Sequence, residues 1–539
     1  MNDGLTASDR EKLVGLLSRF PKLEKVVLFG SRAMGTYSPA SDIDLALYGD
    51  GLTLQDVAHL ASEIEECGLP VEVDLIRYDT ITSAPLKEHI ARHGRLFHEK
   101  MQPISRSMGG ASEWKECLFR DLLQEPVRNG IYKTSEFHGR GTKVINMGEL
   151  FAYPRLRSVE MKRVELTESE SERFSVLAGD LLFARRSLVA EGAGKCCIVL
   201  EVNEPTTFES SLIRARVDKT KANAAFLYYL FSSPLGAYHL DTILRHVAVA
   251  GITGKDLMGL RIEVPGPDVQ KEIVRVLSAL DDKIEENRRI NETLEAMARA
   301  LFKDWFVDFG PTRAKAEGRA PYLAPELWSL FPACLDGEGK PDGWKTVPLD
   351  QIAKFLNGIA LQKYPARDGD FLPVIKIAEL RAASVVNSDR ASVKIPNEYI
   401  VEDGDVLFSW SGSLIQRVWT SGKGALNQHL FKVTSDTFPK WFYFYWIDQH
   451  MEDFWATAAS KATTMGHIQR HHLTQAMTIV PTEKVLNAAN ILIAPLFERG
   501  IANDLEIRTL AKTRDELLPK LLSGEIRIHD AEKAIGGML

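Results

Sequence analysis

A long helix with a coiled-coil seam occurs twice in this chain, and the repetition constrains the fold more than any other feature. Residues 268–306 place seam side chains at alternating steps of four and three, the spacing of a coiled coil: Ile273, Leu277, Leu280, Ile284, Asn287, Asn291, Leu294, Ala298, Leu301 and Trp305. The seam returns 216 residues later, where Asn503 corresponds to Asn287 and Leu510 to Leu294. Because one chain carries both helices, we expect them to pair with each other.

The sequence before each helix is duplicated as well. VINMGEL at 144–150 corresponds to VIKIAEL at 374–380, and GDLLF at 179–183 corresponds to GDVLF at 404–408. The offset between the copies falls from 230 to 225 to 216 along the chain, as expected when loops differ on a shared scaffold. Short β-type runs punctuated by Gly, Pro and Asp predict that each copy is a strand-rich globule of about 150 residues followed by one long helix.

The direction of helix packing decides where the two globules lie. Each globule precedes its own helix, so parallel helices would crowd both globules at one end, whereas antiparallel helices place them at opposite ends of a rod. A helix of 39 residues spans roughly 58 Å at about 1.5 Å per residue, more than the about 34–36 Å of one DNA turn. We expect an antiparallel coiled coil with a pseudo-two-fold axis, in which Asn287 and Asn503 fix the register.

Two further segments carry a family resemblance. The entry to the second globule, LFPACLDGEGKPDGWKTVPL, and the segment LEIRTLAKTRDELLPKLLSGEI near the end of the chain are similar to specificity subunits of type I restriction–modification systems. For residues 113–539 the resemblance implies two target-recognition domains, each followed by a spacer helix, without catalysis of their own. It also implies a bipartite, asymmetric double-stranded DNA target, two methyltransferase subunits and restriction/translocase subunits as partners.

Two missing motifs agree with a non-catalytic role for this part of the chain. The sequence has no Asn/Asp-Pro-Pro-aromatic motif for adenine methylation. GAGK at 192–195 is not a phosphate-binding loop, because Val189 stands where glycine is required and Cys196 stands where Ser or Thr should hold magnesium. Methylation and ATP-driven translocation are therefore expected from partner subunits.

The first hundred residues contain a different motif. An apolar strand at Val26–Phe29 leads into Gly30-Ser31, and ten residues later Asp42-Ile-Asp44 begins a second strand. Residues two apart on a strand share a face, so Asp42 and Asp44 point the same way. A third strand, VEVDLI, adds Asp74. Three convergent carboxylates beside a Gly-Ser turn suit divalent cations and a triphosphate.

This spacing resembles the minimal nucleotidyltransferases of the polymerase beta type. The resemblance implies that Gly30, Ser31 and Arg32 contact nucleotide phosphates, and that Asp42, Asp44 and Asp74 bind two Mg²⁺ ions with ATP as the nucleotide. It further implies that the third carboxylate helps to deprotonate the attacking hydroxyl. Small members of this family act as antitoxins that adenylylate a toxin, so a separately encoded helical toxin is an expected partner.

Candidate DNA contacts follow the GDLLF and GDVLF strands. Arg and Lys suit guanine or phosphate, and Asn and Gln suit adenine. The candidates are Arg185, Arg186, Lys195, Trp410, Ser411, Arg417, Lys423, Asn427 and Gln428. Any one of them is also compatible with an ordinary solvated loop residue. Another polar cluster, Lys461, Arg470, His471 and His472, lacks a third ligand for a metal, and WFYFYW at 441–446 is interpreted as a core helix.

Composition adds weaker constraints. The net charge of −7 predicts no general attraction to nucleic acid, so DNA contact must come from local basic surfaces. Five cysteines without ligand spacing indicate reduced thiols. No apolar run approaches the 18 residues of a membrane span, and no signal-peptide core is present, so we expect a cytoplasmic protein with no membrane partner.

These observations predict an α+β multidomain chain. The predicted segments are a nucleotidyltransferase α/β domain at 1–100, a linker at 101–112, target-recognition domain 1 at 113–266, spacer helix 1 at 267–308, a connector at 309–342, target-recognition domain 2 at 343–481, spacer helix 2 at 482–525 and a tail at 526–539. Three functions stay open: a DNA-specificity subunit with a fused transferase, a transferase that uses the repeats as a targeting scaffold for a protein or RNA acceptor, and an inert interaction protein.

Overall fold

The chain forms two compact units, residues 1–111 and 112–539, each described here by itself. The structure is a computed structural model. It describes residues 5, 7–17, 20, 22–35, 37–38, 41–49, 51–66, 69, 71–81, 83–99, 114–187, 192–245, 250–366, 370–386, 388–460 and 467–537. The predicted linker at 101–112 and the predicted cluster member Lys461 lie outside the described residues.

The first unit is an α/β domain around a four-stranded sheet. Its elements are α1 Ala7–Leu17, β1 Lys25–Phe29, α2 Gly30–Met34, β2 Ile43–Tyr48, α3 Leu54–Glu66, β3 Val73–Arg77, α4 Ala84–His93 and β4 Arg95–Glu99. The strand order is β3-β2-β1-β4, with β2 and β3 parallel and β1 antiparallel to both of its neighbours. Val26, Leu28 and Leu45 are buried in its core, so the apolar strand predicted from the sequence is confirmed.

The first globule of the second unit is strand-rich, as predicted. Its elements are β5 Lys115–Leu118, β6 Arg128–Asn129, β7 His138–Ile145, α5 Met147–Ala152, β8 Arg155–Leu156, β9 Arg163–Val164, α6 Glu168–Arg173, β10 Asp180–Ala184, β11 Arg186–Ser187, β12 Cys196–Val199, β13 Thr206–Phe208, β14 Leu212–Arg216, α7 Ala224–Ser232, α8 Pro234–Asp241, β15 Ala250–Gly251, α9 Gly254–Met258 and β16 Arg261–Val264. Its largest sheet has the order β6-β14-β10-β12-β8. Helix α10, Pro267–Phe302, follows and continues into a π-helical turn at Lys303–Val307.

The second globule repeats this plan. A connector with α11 Gly310–Ala316 and α12 Pro325–Leu330 leads to β17 Lys345–Pro348, α13 Leu349–Ile352, β18 Lys354–Asn357, β19 Phe371–Ile375, α14 Ile377–Ala382, β20 Arg390–Ser392, β21 Ile400–Val401, β22 Val406–Ser409, β23 Gln416–Val418, β24 Gly424–Leu426, β25 Leu430–Thr434, α15 Lys440–Gln449, α16 Met451–Ser460, α17 Arg470–Gln475 and β26 Met477–Val480. Helix α18, Glu483–Ser523, and α19, Ile528–Ile535, complete the unit.

Equivalent strand pairs show that the duplication is structural. β5 pairs with β16 as β17 pairs with β26, and parallel β7–β13 corresponds to parallel β19–β24. The aromatic helix predicted at 441–446 is α15, with Trp441, Phe442 and Trp446 buried, and α7 is its counterpart. Both apolar runs therefore lie in the cores of their globules, as the sequence predicts.

The two long helices pack antiparallel, as predicted. Asp281 of α10 pairs with Arg514 of α18, and Asn291 of α10 pairs with Asn503 of α18. Residue numbers therefore increase along α10 in the direction in which they decrease along α18. Each end of the rod shares a core with one globule: Leu277 and Leu517 pack with the first, and Phe302 and Ile493 with the second. Burying one such Leu, Ile or Phe side chain contributes about 1.5–3 kcal/mol, which holds both globules to the rod.

The Asn register differs from the expectation. Asn503 Nδ2 donates to Asn291 Oδ1 over 2.8 Å, whereas both amide atoms of the fully buried Asn287 have no hydrogen-bond partner. Asn287 and Asn503 are equivalent in the repeat. Because the helices are antiparallel, however, Asn503 lies opposite Asn291 and not opposite Asn287. Of the two asparagines predicted to fix the register, Asn503 therefore makes a hydrogen bond across the seam and Asn287 makes none.

Further packing anchors the ends of the rod. Asp281 accepts hydrogen bonds from Tyr229 of the first globule and from Arg514, both over 2.7 Å. Helix α19 packs on the beginning of α10, where Arg275 pairs with Glu532. Among the described residues, α18 is long and apolar enough to cross a membrane by length and composition alone, and here it lies along α10.

Candidate recognition sites and nucleotide-binding site

Each globule presents a polar loop site built on the same backbone hydrogen bonds. Site 1 consists of Asn129, Arg185, Arg186, Ser210, Ser211 and Gly251, and site 2 consists of Asn357, Trp410, Ser411, Gln428, His429 and His467. Ile252 N donates to Arg185 O over 3.0 Å, and Ile468 N donates to Trp410 O over 2.9 Å. The two sites are therefore structural counterparts.

A glycine in each globule allows two backbone segments to meet at the site. Gly130 N donates to Leu212 O and Gly358 N to Leu430 O, both over 3.0 Å. A Cβ atom at Gly130 would lie 2.0 Å from Glu209 O, and one at Gly358 would lie 2.2 Å from Asn427 O. Because only glycine permits this approach, the preceding residues Asn129 and Asn357 are brought to the edge of their sites.

Different side chains make the equivalent contact in the two sites. Arg185 Nη1 donates to Ser210 O over 3.3 Å, and Trp410 Nε1 donates to Gln428 O over 3.1 Å. Arg186 and Gly251 face each other across β11 and β15, and Ser411 and His467 form the corresponding bridge. A common backbone thus carries a guanidinium-rich set in site 1 and an aromatic and amide set in site 2.

Site 2 is internally hydrogen bonded. Trp410 Nε1 also donates to Asn357 Oδ1 over 2.9 Å. Ser411 Oγ lies 3.0 Å from His429 Nδ1, and Gln428 Nε2 lies 3.3 Å from His429 Nε2. The rings of Trp410 and His429 are 5.7 Å apart at an interplanar angle of 38°. These contacts fix polar side chains of the type that recognises base edges.

In the first unit, Gly30 and Asp44 meet at the start of α2. Gly30 has φ +70°, and a Cβ atom there would lie 2.1 Å from Asp44 Oδ2. Asp44 is paired with Asp74 in the register of parallel β2 and β3, and Asp42 precedes β2 in an exposed position. The Gly-Ser turn and the Asp44–Asp74 pair therefore lie next to each other.

The carboxylates of this site interact electrostatically. Burial raises the pKa of Asp44 first, and the negative charges of Asp74 and Asp42 raise it further, although Arg32 and His89 oppose them. A divalent cation would relieve this repulsion, so the residues fit Mg²⁺ in chemistry. Among the described residues, however, no three potential ligands are arranged to hold one ion, and the fit depends on the Asp44–Asp74 pair together with the charge of Asp42.

Arg32 lies elsewhere than the resemblance implies. Its guanidinium is 1% exposed, and it donates from Nε and Nη2 to Ser41 O over 2.9 and 2.6 Å and from Nε to Asp42 O over 3.1 Å. The side chain thus holds the backbone that presents Asp42. A positioning role for Arg32 accounts for these contacts better than direct phosphate binding.

Comparison with known families gives a direct result for the second unit. The model described as "Type I restriction modification DNA specificity domain" matches residues 111–296 and 341–484, more than half of the chain. The chain belongs to this type I specificity family. The match covers both globules and part of each spacer helix, so the two globules are its two specificity domains.

Relatives agree with this assignment. The HindI specificity subunit of Haemophilus influenzae is 23% identical over 77% of this chain and 100% of its own length. The MjaIX specificity subunit of Methanocaldococcus jannaschii is 27% identical over 58% of this chain and 72% of its own length. A solved specificity subunit from M. genitalium covers 77% of this chain and 97% of its own at 14% identity, with a TM-score of 0.46.

The first unit matches a second family model, "Polymerase beta, Nucleotidyltransferase", over residues 11–102. A solved complex of a Shewanella oneidensis HEPN toxin with its MNT antitoxin is similar over 18% of this chain and 73% of the matched chain, at 26% identity and a TM-score of 0.15. The family-model match over residues 11–102 confirms the polymerase beta resemblance of the first hundred residues. The chain combines a nucleotidyltransferase domain with two specificity domains.

The predicted DNA contacts divide into two groups. Trp410, Ser411 and Gln428 belong to site 2, and Asn427 adjoins it, since its Oδ1 accepts from His429 N. Arg185 and Arg186 belong to site 1. The others make different contacts: Arg417 donates to Leu380 O and Arg381 O, and Lys423 pairs with Glu402. Lys195 accepts at its backbone O from Ala184 N, next to Arg185, and its ammonium lies over the Phe151 ring. We leave this second group out of the proposed recognition sites.

Sequence reasoning missed Asn129, Asn357, His429 and His467. A signal existed for the first two, because Asn-Gly occurs at 129–130 and again at 357–358, an offset of 228 that agrees with the neighbouring repeats. His429 directly follows the predicted Gln428, but only the folded loop shows that the imidazole contacts both Gln428 and Ser411.

Proposed function

We propose that the chain is the DNA sequence-specificity subunit of a type I restriction–modification complex and recognises a bipartite, asymmetric double-stranded DNA target. The observation that carries the proposal is the pair of equivalent loop sites with different side chains, held at opposite ends of an antiparallel rod. Equivalent backbones suit the same task, and different side chains suit different bases. Site 1, with its guanidinium groups, and site 2, with its amides, would each bind one half of the target.

The rod determines the separation of the half-sites. Helix α10 has 36 residues, which corresponds to roughly 54 Å at about 1.5 Å per residue, more than one DNA turn of about 34–36 Å. Its pseudo-two-fold axis presents two similar surfaces and therefore suits two methyltransferase subunits. The methyltransferase subunits would supply methylation and the restriction/translocase subunits ATP-driven translocation, since the chain lacks the motifs for both. The complex would act on DNA in the cytoplasm.

A methylation assay tests this function. The chain is purified with its methyltransferase partner, and the complex modifies a random DNA library whose methylated positions are then sequenced. We expect one bipartite motif with two unrelated halves. Exchanging residues 113–250 for those of a relative should change one half and leave the other half and the spacer intact. Modification without any bipartite motif would contradict the proposal.

The first unit supports a second activity, a Mg²⁺-dependent transfer of a nucleotidyl group from ATP. The observation that carries it is the contact between the Gly30 turn and Asp44, with Asp74 alongside. Asp44 and Asp74 would hold the metal, Gly30 and Ser31 would bind the phosphates, and Arg32 would position Asp42. Bound Mg²⁺ would neutralise phosphate charge. A separately encoded helical toxin is the acceptor that the family resemblance suggests.

Incubation with labelled ATP, Mg²⁺ and the products of neighbouring genes tests this activity. Label should enter a protein, and Asp42→Ala with Asp44→Ala should abolish the transfer. Equal labelling by this variant would exclude the site. The alternative in which the repeats target the transferase predicts that nucleotidyl transfer depends on sites 1 and 2, whereas the specificity function predicts a DNA motif that is independent of Asp42 and Asp44.

A further inference from the structure

Three side chains of site 2 form a hydrogen-bonded row. Ser411 Oγ lies 3.0 Å from His429 Nδ1, and His429 Nε2 lies 3.3 Å from Gln428 Nε2. Ser411 is only 5% exposed, whereas His429 and Gln428 are both partly exposed. The row therefore runs from the interior of the globule to a side chain that reaches the surface of the site.

The chemistry of the row sets its direction. An amide nitrogen can only donate, so His429 Nε2 must accept from Gln428. A neutral imidazole that accepts at Nε2 carries its hydrogen on Nδ1 and can donate it to Ser411 Oγ. The imidazole thereby fixes which arm of the Gln428 amide faces it.

The fixed amide leaves a defined pair of groups for a ligand. One N–H of Gln428 is used by His429, so Oε1 and the second N–H remain. An acceptor beside a donor matches the N6 amino group and N7 of adenine in the major groove. We infer that Gln428 recognises an adenine in the second half of the DNA target, and that His429 and Ser411 are its positioning residues. The inference rests on the proposed DNA-specificity function.

The first globule lacks this device. By the equivalence of Leu212 and Leu430 in the backbone hydrogen bonds, Ser210 and Ser211 occupy the positions of Gln428 and His429. A serine side chain carries a hydroxyl group and no amide, and neither residue has an imidazole. Recognition of adenine by a side-chain amide at this position is therefore confined to the second half-site.

The test compares the target motifs of variant complexes made with the full chain and its methyltransferase partner. Gln428→Ala should relax one base pair of the second half-site and reduce its discrimination between about 5-fold and 150-fold. His429→Leu should relax the same base pair, because the amide loses its orientation. His429→Gln, which restores an acceptor, should regain most of the discrimination. Ser210→Ala in the first globule is the matched control and should leave the second half-site unchanged.

Each outcome is informative. The first half-site reports folding in the three site 2 variants and the second half-site reports it in Ser210→Ala, since a misfolded chain loses both halves. If the wild-type complex has a bipartite motif and Gln428→Ala changes none of its positions, the inference about Gln428 is wrong, but the proposed DNA-specificity function is not affected. A G·C base pair at the relaxed position would also overturn the inference, and so would a failure of His429→Gln to differ from His429→Leu. A wild-type complex without any bipartite motif would instead refute the proposed function.

Discussion

Asn503 Nδ2 donates to Asn291 Oδ1 over 2.8 Å and joins the two long helices across the rod. Asn291 Nδ2 donates in turn to Asp504 Oδ1 and Gly500 O. The repeat places Ile507 at the position equivalent to Asn291, so the equivalent of Asn503, which is Asn287, has no amide opposite it. The pseudo-two-fold axis thus relates Asn503, whose Nδ2 is hydrogen bonded and whose Oδ1 is not, to Asn287, whose two amide atoms both lack a partner.

This asymmetry predicts opposite effects of the same substitution. Asn287→Leu should raise the free energy of unfolding, because a buried polar group without a partner costs about 1–3 kcal/mol. Asn503→Leu should lower it by a similar amount, because Asn291 would lose its acceptor role and remain buried in part. Chemical denaturation of both variants measures the two changes. Equal signs would contradict the observed pairing.

The length of the rod should set the DNA spacer. Deleting the heptads 288–294 and 504–510, which are equivalent in the repeat, shortens the rod by about 10 Å at about 1.5 Å per residue. Since DNA rises about 3.4 Å per base, the spacer of the target should shrink by about three base pairs or binding should fail. Sequencing of the methylated motif checks this. A change in either half-site sequence would contradict the proposal that the rod sets only the separation of the half-sites.

Gly30 should be essential because of Asp44. Gly30→Ala places a Cβ atom 2.1 Å from Asp44 Oδ2 and should abolish nucleotidyl transfer. Gly35 also has positive φ, +76°, but it has no atom within 4 Å of an added Cβ, so Gly35→Ala should cost about 1 kcal/mol of stability and keep the transfer. Labelled-ATP assays and thermal unfolding separate the two. Similar losses of nucleotidyl transfer in both variants would show that the positive φ of the glycine, and not its contact with Asp44, is what the transfer requires.

The raised pKa of Asp44 makes a pH prediction. The folded pKa lies above the ordinary value of 3.8 through burial and then the charges of Asp74 and Asp42, so the carboxyl lowers stability as pH rises through this window. Asp44→Asn should therefore raise the free energy of unfolding at neutral pH and make no difference well below the window. Mg²⁺ affinity of the wild type should fall on acidification through the folded pKa. Titration of unfolding and of metal binding tests both statements.

The contact of Asp281 with Arg514 and Tyr229 should matter for attachment of the first globule to the rod. Asp281 is 4% exposed, so Asp281→Asn leaves a cation without its buried partner and should cost about 3 kcal/mol. Asp515 also pairs with Arg514, but its side chain is 64% exposed, and Asp515→Asn should cost less than about 1 kcal/mol. Urea unfolding of the two variants gives the comparison, and equal costs would contradict the role of burial.

Periodic patterns predicted the architecture well. The heptad seam of α10 and α18, the duplicated strands before them and the Gly30–Asp44 spacing all depend on local order along the chain, which the sequence displays directly. Contacts that depend on packing were harder. The partner of Asn503 depends on antiparallel register, and the burial of Arg32 accompanies its hydrogen bonds to the backbone of Ser41 and Asp42. The row from Ser411 to Gln428 joins two separate loops.

Helix α19 has a topological consequence. It lies against the beginning of α10 through the Arg275–Glu532 pair, and β5, the first strand of the second unit, is paired with β16 immediately before α10. The first and last described elements of this unit thus lie at the same end of the rod. The order of domain, helix, domain, helix is effectively cyclic, so a circular permutant that opens in the 309–342 connector and joins α19 to β5 through a short linker should keep both half-site specificities.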